Sequence, residues 1–418
     1  MKTFPRMAPI EQSFPRPCVE DVEARSFQIV QTSLGQRQLS SKRIAIAVGS
    51  RGIENIDKIV RAAVAALKQC GAEAFLVPAM GSHGGGQAEA QKKILLEYKL
   101  TPDNVGAEIL SSMETVQLGE TPSGLPVYMD RNAYESDGVI LINRVKPHTD
   151  FTGVVESGLM KMTAIGLGKI DGASAFHSRT SEFESDQMIR DIAQTALQNG
   201  KILGGLAIIE NAYHETAHLE WTAPDAMDAN EQQWLKRAKE WMPSLPVAQA
   251  DCLIVDRIGK NISGVGLDPN ITGRRYKINR RWNTTPDITR IILLGLTEET
   301  NGNAVGCGLA DFCSQRLLDA MNKNVTYVNA VTSRNVICAD IPPHWDTDEE
   351  TLQWAFKSVG NPDLSQLRVL RIRDTLSLTH IEASEALLDE FKQSPQVAQI
   401  GGLREMTFDS TGALAPLA

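Results

Sequence analysis

Histidines and lysines are concentrated in one glycine-rich stretch of the chain, residues 143–177, which reads NRVKPHTDFTGVVESGLMKMTAIGLGKIDGASAFH. It follows an apolar run at 138–142 that has the length and β-branched content of a buried strand. Open α/β sheets bind ligands at the carboxyl ends of their strands, and glycines allow a bound group to approach the backbone. The stretch is therefore a candidate site.

Three side chains in this stretch could carry chemistry. The imidazoles of His148 and His177 exchange protons near neutral pH, because histidine has a pKa of about 6.5. Lys161 stands between Met160 and Met162. A charged amine in such apolar surroundings is costly unless it is paired or modified. We therefore expect Lys161 to be paired or covalently modified.

Two earlier turns each carry a polar side chain that could act together with His148. Arg51 follows an apolar run at 43–48, and His83 lies in a GSHGGG turn that follows the run at 74–78. Because ligands of parallel sheets gather at the strands' carboxyl ends, we expect these residues to share one crevice. The GSHGGG turn could also bind a phosphate, although it matches no nucleotide-binding consensus.

Alternating strands and helices indicate an α/β fold. Strand, glycine-rich turn and helix follow one another twice between residues 43 and 98, which is typical of a parallel sheet covered by helices. Further strands are predicted at 206–209, 252–255, 291–294 and 325–331, and further helices at 184–198, 232–241, 347–358 and 381–392.

The length of 418 residues favours two domains. The pattern changes at a Pro-containing segment near 243–250, so we predict an N-terminal α/β domain at 1–245 and a C-terminal one at 246–418. Both should have largely parallel sheets, with an active-site cleft between the domains. The glycine-rich loop 256–275 is a candidate lid, in which Lys260 could bind a substrate carboxylate or be an ordinary loop lysine.

His214 and His218 are four positions apart, a spacing that can bind a metal on a helix. No third ligand is evident in the sequence nearby, and the residues that follow are polar. A surface role is therefore expected for this pair.

Composition narrows the class of protein. The net charge of −9 argues against a dedicated nucleic-acid binder and against attachment to an anionic membrane. No apolar run approaches the roughly 20 residues of a membrane span, and the N-terminal segment has no signal-peptide core. The six cysteines form no CxxC pair, as expected for reduced thiols. These features predict a cytoplasmic protein.

The motifs GSRG, GSHGGG and KPH, followed by GLMK and a further histidine, resemble the lactate racemase family, which uses a nickel-pincer nucleotide. The resemblance implies that Lys161 holds a thio-modified pyridinium mononucleotide through a thioamide and that His177 is a nickel ligand. Their separation of 16 positions agrees with the family's spacing. It also implies that His83 and His148 are the acid/base histidines and that Arg51 binds the substrate carboxylate.

The resemblance implies a racemase or epimerase of a 2-hydroxy acid, acting by hydride removal and return and served by enzymes that make the cofactor. The chain departs from the lactate enzymes at Gly158-Leu159-Met160, where they have Gly-Gly-Arg. Polar groups in loop 256–275, including Asn261 and Asn270, favour a substrate more polar than lactate.

Two alternatives remain at the level of sequence. One is a dehydrogenase that binds NAD noncovalently, which needs an acidic ribose-binding residue after the second strand; none is evident at 78–86. The other is a noncatalytic protein that binds a small ligand on the same fold.

Overall fold

The structure, a computed structural model, describes residues 4–49, 52–179, 184–277, 280–360 and 363–417. The chain divides into two compact units: one is Pro15–Met242, and the other joins Pro243–Ala418 to the N-terminal segment that ends at Phe14. The sequence-based boundary after residue 245 lies close to this division. The N-terminal segment, which we had placed in the first domain, contributes strand β1 (Met7–Gln12) to the sheet of the second unit.

The first unit is built on a six-stranded sheet in the order β4-β3-β2-β7-β8-β9. All neighbouring strands are parallel except the final pair, β8 and β9. Two further strands, β5 and β6, form a separate antiparallel pair. The strands are β2 (Arg43–Val48), β3 (Glu73–Pro78), β4 (Glu108–Ile109), β5 (Thr115–Glu120), β6 (Pro126–Asp130), β7 (Gly138–Arg144), β8 (Ile202–Glu210) and β9 (Thr216–Thr222).

Helices cover both faces of this sheet. They are α1 (Val22–Leu34), α2 (Ile56–Gln69), α3 (Ala88–Glu97), α4 (Pro102–Val105), α5 (Arg131–Glu135), α6 (Leu159–Lys161), α7 (Lys169–Ser178), α8 (Ser185–Asn199) and α9 (Met227–Trp241). Along β2, Ala45 and Ala47 face the core beneath α8 and α9, whereas Ile44 and Ile46 face the core beneath α1 and α2. Burial on both faces explains why the strand is apolar throughout.

The second unit contains an eight-stranded sheet in the order β15-β14-β13-β10-β16-β17-β1-β18. The first five are parallel neighbours, and β17, β1 and β18 complete the sheet in antiparallel pairing. Its strands, with the separate hairpin β11–β12, are β10 (Gln249–Val255), β11 (Arg274–Lys277), β12 (Arg280–Asn283), β13 (Asp287–Leu293), β14 (Phe312–Ser314), β15 (His344–Trp345), β16 (Val369–Ile372), β17 (His380–Ser384) and β18 (Val397–Gln399).

The helices of the second unit are α10 (Pro269–Thr272), α11 (Gln315–Asp319), α12 (Lys323–Thr332), α13 (Asp348–Lys357) and α14 (Leu388–Phe391). The predicted α/β class with largely parallel sheets is confirmed in both units. No helix in the described part of the chain is long and apolar enough to cross a membrane.

The prediction of a strand at 325–331 is wrong, because this segment belongs to helix α12. The side chain of Asn322 caps the helix by accepting a hydrogen bond from the Val325 N–H. Thr326 and Ala330, four positions apart, are its buried residues, while the valines are largely exposed. High β-propensity was therefore overruled by a local cap and a helical burial pattern.

The prediction of a helix at 381–392 is also wrong over its first third. Residues 381–384 belong to strand β17, in which Ile381 and Ala383 are buried and pair with Ile10 and Ala8 of β1. The pairing partner lies more than 370 positions away in sequence. Only the short α14 and the turn before it are helical.

Candidate active site

The predicted site turns follow three adjacent strands of the first unit. His83 follows β3 and His148 follows β7, while β2 lies between these two strands. All three strands are parallel, so their carboxyl ends lie at one edge of the sheet. His83 is exposed and His148 is half-buried. Arg51, predicted in the turn after β2, lies outside the described residues.

Phe151 joins His148 to Lys161. The imidazole of His148 stacks on the Phe151 ring, with 4.4 Å between the ring centroids and an angle of 29° between the planes. The Nζ atom of Lys161 lies 5.6 Å from the centroid of the same ring, a cation–π contact. The half-buried amine and the half-buried imidazole therefore share one aromatic neighbour, which the sequence motifs did not indicate.

Lys161 stands where the backbone changes from an α-helical to a π-helical turn. Helix α6 ends at Lys161 and continues as the π-turn Met162–Gly166, in which the Leu167 N–H donates to the Met162 carbonyl at 2.8 Å. The hydroxyl of Thr163 donates to the Leu159 carbonyl at 2.8 Å. π-Helical turns are rare in proteins, and those that do occur are frequently found at functional sites.

His177 lies on the last turn of α7, the helix that follows the π-turn. Its ring is exposed and makes an edge contact with the buried Phe176 ring, at 5.3 Å between centroids. The imidazole of His177 lies at the surface, whereas Phe176 anchors this end of the helix in the core.

The glycines of the GSHGGG turn serve packing. The Gly81 N–H donates to the Gly166 carbonyl at 3.0 Å, which ties the His83 loop to the π-turn. Gly86 has a φ of +65°, and a Cβ atom there would lie 2.9 Å from Cδ1 of Ile170. Both glycines therefore bring the His83 loop against the segment that joins Lys161 to His177.

Lys169 and Gln91 hold the His83 loop in place, and neither was predicted as a site residue. The fully buried Lys169 donates through Nζ to the Pro78 carbonyl at 2.6 Å and to Gln91 Oε1 at 3.3 Å, and forms an ion pair with Asp130 at 3.1 Å. Gln91 in turn donates through Nε2 to the His83 carbonyl at 3.0 Å. The end of β3, α3 and α7 are thereby joined.

The Lys169–Asp130 pair is buried on all sides. Desolvation lowers the pKa of Lys169 and raises the pKa of Asp130, and the attraction between the two charges opposes both shifts. The sequence does not distinguish the buried Lys169 from the neighbouring Lys161, because both stand in apolar, glycine-rich surroundings.

The buried Glu156 organises the backbone around His148 and was also missed. Glu156 accepts hydrogen bonds from the His148 N–H at 2.6 Å and the Gly153 N–H at 3.2 Å, and pairs with Lys239 of α9 at 2.6 Å. In addition, the Asp150 N–H donates to Nδ1 of His148 at 3.1 Å. Because Nδ1 accepts, the neutral ring carries its proton on Nε2.

The predicted polar groups of loop 256–275 are engaged within the second unit. Lys260 donates through Nζ to the Gly264 carbonyl at 2.7 Å. Asn261 accepts from the Thr297 hydroxyl at 2.6 Å, and Asn270 donates to Asp268 at 3.0 Å. These contacts stabilise the loop itself, so they account for its polar residues without a ligand.

His214 and His218 do not share a helix face. His214 lies in the turn between β8 and β9 with a φ of +61°, and His218 lies on β9, where Nε2 contacts Glu220 Oε2 at 2.8 Å. Within the described ranges, no group of three or more His, Cys, Asp or Glu side chains is arranged to hold a metal ion.

Comparison with known proteins finds a family model that matches the part of the chain containing these residues. Residues 26–188 match the model of the lactate racemase N-terminal domain. The apoprotein structure of lactate racemase from Thermoanaerobacterium thermosaccharolyticum is 13% identical, with a TM-score of 0.51, over 84% of this chain and 92% of that chain. A protein of known structure from Thermotoga maritima is 12% identical, with a TM-score of 0.49, over 78% of this chain and 83% of that chain. No curated protein matches the chain.

The structural likeness and the domain match support different conclusions. At 13% identity the structural likeness shows the fold. The domain match covers β2, β3 and β7 and the loops that carry His83, His148, Lys161 and His177. The chain is therefore lactate racemase-like: residues 26–188 match the model of the lactate racemase N-terminal domain, and the chain shares the fold of the lactate racemase apoprotein.

Proposed function

We propose that this protein is a racemase or epimerase of a small 2-hydroxy acid and that it works through a nickel-pincer nucleotide bound to Lys161. The observation that carries the proposal is the shared contact of Lys161 and His148 with Phe151, at the carboxyl edge of the sheet. It supports an amine that attaches a cofactor beside an imidazole that can move protons. The domain match supports the same class of reaction.

The side chains of the first unit fit such a cofactor. Lys161 offers a half-buried primary amine for a covalent bond, on the turn that leads into the π-helical segment. His177 offers an exposed imidazole on the helix that follows. One imidazole together with sulfur ligands from the nucleotide suits nickel. Lys161 would hold the nucleotide, and His177 would bind its metal.

When bound, the nucleotide supplies the acceptor for the hydride of the substrate carbon. The residues of the chain position the substrate and move the hydroxyl proton, for which we propose His148 and His83 as the two acid/base groups. Proton uptake at Nε2 of His148 requires the Asp150 N–H to leave Nδ1, so that Nδ1 can hold the ring proton. Either the imidazole ring or the Asp150 backbone must therefore move before Nε2 can accept a proton.

The substrate carboxylate needs a cationic partner, and Arg51 is the residue we propose for it. The guanidinium group can bind a carboxylate through two parallel hydrogen bonds, which fixes the orientation of the substrate carbon. Lys260 remains a proposed second partner, although it is bonded to its own loop in this state.

The first test is the covalent bond. Protein co-expressed with enzymes that synthesise the cofactor should show an added mass that peptide mapping places on Lys161. The Lys161→Ala variant should lack the adduct and the activity, while the exposed Lys93→Arg variant should retain both. Active, nickel-containing protein with an unmodified Lys161 would contradict the proposal.

The second test follows the hydrogen. A panel of 2-hydroxy acids deuterated at C2, from lactate to more polar acids, is incubated with cofactor-loaded protein in ordinary water. Hydride return predicts inverted product that keeps its deuterium. Loss of deuterium to water would indicate proton abstraction, and stoichiometric 2-keto acid formed with reduced NAD would indicate a dehydrogenase; either result refutes the proposal.

A further inference from the structure

A buried glutamate lies directly against the turn that carries Lys161. Glu231, on helix α9, is fully buried. Its Oε2 atom accepts a hydrogen bond from the Met160 N–H at 2.9 Å. The N–H group immediately before Lys161 in sequence is therefore bound by a side chain that lies 71 positions away.

Gly158 allows this close approach. A Cβ atom at position 158 would lie 2.4 Å from Cδ of Glu231, so any larger residue there would force the carboxyl group to move. On the other side of the turn, the Thr163 hydroxyl donates to the Leu159 carbonyl. Side chains thus bind the Met160 N–H and the Leu159 carbonyl of the turn that positions Lys161.

The carboxyl group is retained here at a considerable desolvation cost. Burial raises the pKa of Glu231 to about 7, and hydrogen bonding from the backbone only partly offsets this effect. Oε1 has no hydrogen-bond partner among the described residues. An acidic group held in the core without full satisfaction is rare and calls for a specific role.

We propose that Glu231 is a positioning residue for Lys161: its carboxyl group fixes the backbone of residues 159–160 and thereby the direction in which the lysine side chain leaves the turn. The importance of that direction rests on the proposed function, in which Lys161 carries the cofactor. The contact itself does not depend on any cofactor.

Hydrogen exchange in the cofactor-free, full-length protein tests the contact. In Glu231→Met and Glu231→Asp the amide of Met160 should exchange about tenfold faster than in the wild type, because its acceptor is removed or withdrawn. Glu231→Gln should stay near the wild type, since an amide oxygen can take the place of Oε2. Glu240→Gln, an exposed glutamate on the same helix, is the matched control and should change nothing.

The shorter Glu231→Asp side chain keeps the test informative if Glu231→Met does not fold. Wild-type exchange of the Met160 amide in the folded Asp variant would overturn the proposal, as would equally fast exchange in the Gln and Asp variants.

Lys161 itself provides the second readout. Acylation of its amine by a lysine-selective reagent, measured by peptide mapping against Lys93, should change at least threefold in Glu231→Asp and be restored in Glu231→Gln. Unchanged acylation in the Asp variant would overturn the positioning role. A cofactor adduct missing from Lys161 in the wild type would instead refute the proposed function and leave the exchange result standing.

Discussion

His148 is held by groups that lie outside its sequence motif. The loop that carries it is closed at its base by paired backbone hydrogen bonds between Lys146 and Ser157, at 2.9 and 3.2 Å. Inside the loop, Glu156 binds the backbone N–H groups of His148 and Gly153. Lys239 compensates the buried carboxylate. The position of the imidazole is therefore set by one internal carboxylate and a lysine from α9.

Replacing Glu156 should affect both stability and catalysis. In Glu156→Gln the ion pair with Lys239 is lost and one of the two backbone donors loses its acceptor, so we expect the free energy of unfolding to fall by about 1–3 kcal/mol. Misplacement of His148 should lower kcat roughly tenfold or more with little change in KM.

Denaturant unfolding and steady-state kinetics of loaded enzyme measure the two effects. The exposed Glu135→Gln variant is the control for the same chemical change. A Glu156→Gln enzyme with wild-type kcat would show that this carboxylate does not position the histidine.

At the scale of elements, the buried ion pair between α7 and β6 joins the parts of the site. Lys169 begins α7, and Asp130 ends β6 and caps α5 by accepting from the Ala133 N–H. Through Pro78 and Gln91 the same lysine fixes the end of β3 and the loop of His83. One buried charge therefore links four elements, which makes the pair costly to break.

Replacing one member of the Lys169–Asp130 pair should lower the free energy of unfolding more than replacing both. Lys169→Met leaves Asp130 as an uncompensated buried charge, so we expect a loss of about 3–5 kcal/mol in the free energy of unfolding. The double variant with Asp130→Asn should recover a large part of that loss. A double-mutant cycle by chemical denaturation measures the coupling, and strictly additive effects would contradict it.

Helix α9 and the Lys161 turn are coupled by a group that titrates near neutral pH. Because the pKa of Glu231 rises from 4.5 to about 7 on folding, its contribution to stability is fully present below pH 4.5 and is lost as the pH rises through 7. The wild type should therefore lose up to about 3 kcal/mol relative to Glu231→Gln between pH 5 and pH 8. Denaturation curves at both pH values measure this effect. An unchanged difference in the free energy of unfolding between the wild type and Glu231→Gln would contradict the prediction.

At the scale of the whole molecule, the two units differ in how their sheets are assembled. The first unit draws every strand of its sheets from Pro15–Met242. The sheet of the second unit takes β1 from the other end of the chain and places it between β17 and β18. The second unit is therefore incomplete without the N-terminal residues.

Fragments should reflect this difference. Residues 15–242 should fold alone with a cooperative transition, whereas 243–418 should not, because β17 and β18 lose the strand that joins them. Attaching residues 4–14 to the second fragment through a flexible linker should restore folding. Circular dichroism and amide dispersion in NMR spectra report the result, and a well-folded 243–418 fragment would show that β1 is dispensable.

Strands buried on both faces and the helices beside them were predictable from sequence. The apolar runs of β2, β3 and β7 are sufficient to predict these strands, because burial on both faces of a sheet requires a continuous apolar segment. The order of strand, turn and helix along the sequence also placed the turns of His83 and His148 at the carboxyl ends of strands. Local pattern was sufficient for these strands because nearly every position along them is buried.

Tertiary structure decided the elements and contacts whose partners are distant in sequence. Residues 381–384 became a strand because β1 pairs with them, and Lys169 became the most deeply buried lysine of the site because Asp130 and Pro78 surround its amine. Glu231 reaches Met160 across 71 positions. Sequence determines which side chains are available for chemistry, but desolvation and pairing depend on neighbours that only the folded chain brings together.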